Sequence, residues 1–361
     1  MKKTFVDLTY YSFPCENSSQ IIELCSSTIG YLNILYKSFT THFVVRTEKQ
    51  IEPTIINFLN IHFFQGNTLK KWQIPFRFNQ HIKSLKPDFV LVHGFGSAHY
   101  LIFLKLICPN AKIILQCNGY AKRPKGLKKI AYQFSDYFID GYLFTGTDSA
   151  KSWYENNIFQ KQKVFEVMEG SNHFKFDPSS NRSKNSFLWV GGLNENKDPI
   201  TILRAFNQFL VVNSSATLTM IYHQNDLLDV VKDFLKNSNN LEKAVFLQGF
   251  IEHKLLEKTY NQHQFFILGS HYEGSGYALS EAMACGCVPI VTNISSFKFM
   301  TNNGDCALLF SPENDQELHC QLVKTQQINY LDYQRKVLQQ FDTKLSFDAI
   351  AKTIDNVFQS L

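Results

Sequence analysis

Short apolar runs alternate with stretches of helical periodicity along the whole 361-residue chain, and that alternation restricts the fold more than any other feature. Strands are expected near residues 4–8, 42–45, 61–64, 89–93, 113–116, 142–144 and 164–167 of the first half. In the second half they are expected near 187–190, 218–222, 245–247, 265–268, 288–291 and 308–310. Near-continuous apolar strands separated by helices imply parallel sheets covered on both faces, an α/β class. The length exceeds a single core of ordinary size and suits two domains. Asp177 to Asn185 contains no large apolar side chain and is read as a linker. This divides the chain into a first domain over 1–176, a linker over 177–185 and a second domain over 186–342. A closing helix over 343–361 carries Phe347, Ile350, Ile354 and Phe358 on one face.

Composition excludes several classes. The eight cysteines show no C-x-x-C pair, and Cys285 and Cys287 flank a glycine with no histidine pair to complete a zinc site, so free buried thiols are expected. Met1-Lys-Lys leads into polar residues rather than a secretory apolar region, and no apolar run reaches membrane-spanning length. A cytoplasmic protein is expected. Residues 1–180 hold 21 Lys plus Arg against 13 Asp plus Glu, a net of +8; the remainder holds 15 against 18, a net of −3, which together give the +5 of the chain. Lys70, Lys71, Arg77, Lys83 and Lys86 form one basic cluster, and Lys122 to Lys129 another. Solvated helix faces are the plain reading. The sharper one is peripheral contact with an anionic bilayer on the inner face of the membrane. No aromatic–basic signature accompanies the charges, so nucleic acid is not expected as a partner.

The chemistry is concentrated in residues 273 to 281, Glu-Gly-Ser-Gly-Tyr-Ala-Leu-Ser-Glu, which follow the apolar run 265–268. A buried strand, a glycine turn and a helix start direct backbone N–H groups at an anion. Upstream, Phe187 to Val190 leads into Gly191-Gly-Leu-Asn-Glu-Asn-Lys-Asp-Pro199, again strand, glycine turn and lysine. Asp198 and Pro199 read as the N-cap and first residue of a helix. Lys197 stands at the mouth of that turn.

These two motifs resemble those of retaining glycosyltransferases of the "glycosyl transferases group 1" family, which have the GT-B fold and an E-x7-E motif. The resemblance implies two Rossmann-like domains with parallel sheets facing across a cleft. It further implies transfer of a sugar from a nucleotide diphosphate donor to an acceptor hydroxyl, as in the synthesis of cell-surface glycans and polysaccharides. In this analogy Glu273 and Lys197 are catalytic, while Gly191, Gly192, Gly274, Ser275, Gly276, Tyr277, Ala278 and Glu281 hold the donor, with Glu281 on the ribose. The family's second cation, an arginine, is replaced by Gly192; Lys122, Arg123 and Lys125 are candidates to substitute for it. No Asp-x-Asp pair occurs, so neither a metal nor any other cofactor is expected.

The first half is expected to meet a glycan or lipid-linked acceptor. His93 ends an apolar strand at the edge where ligands of open α/β sheets bind. A His at such a strand end also serves equally well to cap the next helix. Asn118 and Gly119 follow the next strand, where relatives place a His. Glu169, Gly170 and Ser171 are assigned to the cleft lining, although an ordinary turn explains them almost as well. Two other classes stay open: a degenerate GT-B protein that binds a sugar nucleotide without turnover, and a sugar-nucleotide epimerase.

Overall fold

The computed structural model describes residues 2–66, 73–95, 98–117 and 124–361. Its contacts divide the chain into two units, Met1–Ser171 with Phe347–Leu361, and Asn172–Ser346.

The first unit carries eight strands: β1 (Lys3–Phe13), β2 (Phe39–Thr47), β3 (Thr54–Ile56), β4 (Leu59–Gln65), β5 (Phe89–His93), β6 (Lys112–Gln116), β7 (Gly141–Phe144) and β8 (Val164–Glu166). They pair in the order β3-β4-β2-β1-β5-β6-β7-β8. Every neighbouring pair is parallel except β3 with β4. Val6, Leu8, Val90, Val92, Ile113 and Leu115 are fully buried. This is what continuous Val/Ile/Leu runs give when helices cover both sides of a sheet. β3 was not expected from the sequence. It is the first arm of a hairpin whose turn residues, Asn57 and Phe58, both have positive φ (46° and 72°). A primed turn is normally marked by Asn-Gly, and phenylalanine in the second place hides it. The last helix, Phe347–Ser360, belongs to this unit, with the Phe358 ring 5.2 Å from Phe5 and 4.7 Å from Phe89.

The second unit carries β9 (Ser183–Gly191), β10 (Thr217–Tyr222), β11 (Val245–Gly249), β12 (His263–Leu268), β13 (Val288–Thr292) and β14 (Leu308–Phe310). Their order is β11-β10-β9-β12-β13-β14, parallel throughout. Counted within the unit this is 3-2-1-4-5-6, the doubly wound Rossmann order, with its reversal between β9 and β12. In the first unit the reversal lies between β1 and β5. The stretch 177–185 lies inside the second unit and its last residues open β9. Polar contacts rather than apolar packing fix it: the Asp177 N–H donates to Asn261 Oδ1 at 2.9 Å, and the Arg182 guanidinium donates to Asn261 Oδ1 (3.0 Å), to the His263 carbonyl (2.6 Å) and to the Cys285 carbonyl. Lack of apolar side chains therefore did not mean a free linker here. All eight cysteines are free thiols, seven buried and Cys320 exposed. Among the described residues no helix is long and apolar enough to cross a membrane.

Candidate active site

At the carboxyl ends of β9 and β12, on either side of the chain reversal in the second sheet, two loops meet. Gly191 ends β9, and the turn after it is closed by Asn194, whose side chain accepts the Lys197 N–H at 3.1 Å. Asp198 then caps the helix Pro199–Val212 by accepting the Thr201 N–H at 3.1 Å, with its own backbone left-handed (φ 41°). The loop leaving β12 is held to this turn by backbone and amide contacts. The His271 N–H donates to the Asn196 carbonyl (2.9 Å), and the Tyr272 N–H donates to Asn196 Oδ1 (3.2 Å). Gly269 permits the approach, since a Cβ there would stand 3.2 Å from the Asp198 carbonyl oxygen. This architecture brings Lys197 Nζ into an ion pair with Glu273 Oε1, which also accepts from Ser270 Oγ at 2.9 Å. Ser270 is fixed in turn, its carbonyl accepting from Thr292 Oγ1 at 2.6 Å.

Three residues beyond Glu273, Gly276 takes a left-handed conformation (φ 57°) and starts the helix Tyr277–Ala284. A Cβ at residue 276 would lie 2.9 Å from Met300 Sδ, a contact the flexible Met can relieve, so it is the left-handed backbone that favours glycine. The first N–H groups of this helix have no partner within it and carry the positive end of its dipole. Gly274, Ser275, Tyr277 and Ala278 surround that end. Glu281 lies a turn into the helix and is buried. Its Oε1 is 2.7 Å from His253 Nε2, and its Oε2 accepts the Tyr260 O–H at 3.0 Å. Burial, and next the Glu281 carboxylate, hold the Tyr260 phenol well above its ordinary pKa, so that group stays a donor. His253 and Tyr260 were not singled out in the sequence. Both lie in or near the helix His253–Asn261, whose exposed, polar appearance conceals that one edge faces Glu281.

Beside Gly192 lies the exposed side chain of Gln224. Its Oε1 accepts from Asn194 Nδ2 at 3.0 Å, while the Leu193 N–H donates to the Gln224 carbonyl at 2.9 Å.

In the first unit, His93 ends β5 at the other chain reversal. Its Nε2 is 2.9 Å from Asp7 Oδ1 on the neighbouring β1, and Tyr31 donates its O–H to Asp7 Oδ2 at 2.7 Å. Burial pulls the His93 pKa down, but the Asp7 carboxylate, its hydrogen bond and the charge of Glu169 outweigh it and leave the pKa raised. Ser171 is buried and its N–H donates to Ser27 Oγ at 2.9 Å. Asn118, Gly119, Lys122 and Arg123, like Lys70 and Lys71, lie outside the described residues, and Lys125 is exposed. Of the sequence-predicted residues, Lys197 and Glu273 are thus in contact, Gly276 and Glu281 follow on the same loop and helix of the second unit, and His93 lies in the first.

Residues 171–325 match the family described as "Glycosyl transferases group 1". No curated protein matches the chain in sequence. Among solved structures, a glycosyltransferase from Rickettsia africae is similar with a TM-score of 0.77 at 14% identity, covering 100% of this chain and 99% of that one. Sucrose-phosphate synthase from Thermosynechococcus elongatus gives 0.69 at 13% identity, covering 99% of each chain. Anabaena HepE, solved in complex with UDP, gives 0.70 at 12% identity, covering 99% of this chain and 100% of that one. At these identities the likeness establishes the fold, the GT-B arrangement of two Rossmann-like units. The similarity to the glycosyl transferases group 1 family lies in residues 171–325, fewer than half of the chain.

Proposed function

We propose that the protein is a retaining glycosyltransferase that uses no metal and moves a sugar from a nucleotide diphosphate donor to an acceptor hydroxyl, in the synthesis of a cell-surface glycan or polysaccharide. The observation that carries this reading is the Lys197–Glu273 pair at the chain reversal of the second sheet, beside the helix start at Gly276. A diphosphate there meets a lysine and the positive end of a helix, both fixed before the reaction. Negative charge grows on that group as the glycosidic bond breaks, so these contacts strengthen most in the transition state. Glu273, oriented by Ser270, accepts hydroxyl hydrogen bonds from the donor sugar. Glu281, held by Tyr260 and His253, accepts from the ribose diol. The diphosphate oxygen takes the proton of the attacking hydroxyl on the same face of the sugar. The first unit supplies the acceptor, a glycan or a lipid-linked sugar, with His93, Asn118, Gly119, Glu169 and Ser171 as candidate contacts, and its basic charge supports contact with an anionic membrane.

A panel of nucleotide sugars incubated with mixed glycan and lipid-linked acceptors in EDTA tests the reading. The expected outcome is transfer from one donor with the anomeric configuration kept. Nucleotide binding without transfer or donor hydrolysis would instead support the degenerate reading, which rests on glycine standing at position 192 in place of the second cation. Conversion of the nucleotide sugar alone would indicate an epimerase.

A further inference from the structure

We propose that the helix Leu127–Ser135 and the turn after it form a face that docks on an anionic lipid bilayer. The helix is anchored by its inner side: Tyr132 is buried, its O–H donates to the Phe95 carbonyl at 3.1 Å, and Ser135 is buried beside it. Its apolar stripe points the other way. Leu127, Ile130 and Phe134 recur at helical spacing and are 85%, 60% and 55% exposed, and Tyr137, three residues on, is 80% exposed. A surface helix ordinarily turns such a stripe to the core. Lys125 and Lys128 are exposed on the same segment and Lys129 is partly so. The single carboxylate between residues 124 and 138, Asp136, is buried and taken up by the Tyr142 hydroxyl and Lys163. The face is therefore apolar and positive, with no accessible negative charge of its own.

Clefts border the helix on both flanks. One, of about 600 Å³, is of mixed character, with Ile130, Phe134 and Tyr137 beside Gln133, Asp136 and Lys161; the other, of about 610 Å³, is lined mainly by apolar and aromatic residues, among them Tyr11, Ile102 and Phe134. An anionic bilayer satisfies both halves of this chemistry, with acyl chains for the stripe and the more apolar cleft and lipid phosphates for the lysines. A second copy does so less well, since a two-fold contact would set lysines against lysines.

Co-sedimentation of the full chain with vesicles tests the proposal without donor or acceptor, so its failure is independent of the glycosyl-transfer reading. Vesicles of 30% phosphatidylglycerol in phosphatidylcholine should bind the protein and pure phosphatidylcholine should bind it far less. Leu127→Asp/Ile130→Asp/Phe134→Asp, checked for an unchanged circular dichroism spectrum, should lower partitioning at least roughly tenfold. Lys125→Gln/Lys128→Gln/Lys129→Gln should lower it about fivefold per lysine, with weaker salt dependence. Absence of binding to the anionic vesicles, partitioning unchanged in both variants, or a dimer that the triple aspartate variant dissociates would overturn it.

Discussion

The two sheets reverse direction at equivalent places and put opposite chemistry there. Between β9 and β12 the second unit sets a part-exposed lysine against a glutamate, beside a helix start that adds positive character. Between β1 and β5 the first unit sets a fully buried aspartate against a histidine and closes it with Tyr31. The former pair leaves part of both side chains accessible to solvent; the latter holds its aspartate wholly out of water. One fold thus produces a part-exposed ion pair and a buried one at corresponding points of its two sheets. The Lys197–Glu273 pair is carried on the loops after β9 and β12, whereas β1 carries its charge inside the strand.

That contrast breaks most decisively on Lys197→Ala, which should lower transfer about 10²- to 10³-fold while leaving thermal stability nearly unchanged. Equal activity in the variant and the wild type would remove the distinction. Asp7→Ala should do the reverse, costing about 3 kcal/mol of stability in urea unfolding because His93 and Tyr31 lose a buried partner, with nucleotide affinity retained. Tyr260→Phe removes one donor from the buried Glu281 carboxylate and should weaken nucleotide binding roughly tenfold by calorimetry, in line with the loss of a hydrogen bond to a charged group. A change under twofold would separate Glu281 from the donor.

The smallest effect concerns pH. His62 lies 2.9 Å from His42 Nδ1 and packs on His81; burial, then the neighbouring His81 and His42, push its pKa down to about 4. The fold therefore favours its neutral form. Stability from this residue is complete above the unfolded value near 6.5 and falls as pH drops toward about 4, by about 1 kcal/mol after solvent screening. His93 has the opposite sign, its raised pKa giving stability that is complete below the unfolded value and lost as pH rises through the folded one. Melting curves of His62→Asn and His93→Asn across pH 4 to 8 should flatten opposite ends of the profile.

The architecture was legible because a parallel sheet demands uninterrupted apolar strands, and each of those runs, including Phe89 to His93, forms a strand. The N-cap at Asp198 was legible for the same local reason, since an Asp-Pro step has few other uses before an apolar helix. The site's supports were not legible. Tyr260 and His253 reach Glu281 across a helix pair, and Gln224 reaches Gly192 from a different strand's loop, contacts that arise only once the sheet is assembled. Asp7 did leave a trace, a lone carboxylate inside Phe5-Val-Asp-Leu8, and a buried charge of that kind requires a partner. The stretch 177–185 misled because polar anchoring through Arg182 and Asn261 has no periodic signature.

The central claim is that Lys197 grips a diphosphate at the β9–β12 reversal. Calorimetric titration of wild type and Lys197→Ala with a panel of nucleoside diphosphates and their parent nucleosides measures it directly. The account predicts that one diphosphate binds, that Lys197→Ala weakens it at least roughly tenfold, and that the parent nucleoside binds both proteins alike. Equal diphosphate affinity in the two proteins, or no nucleotide binding in either, would contradict it.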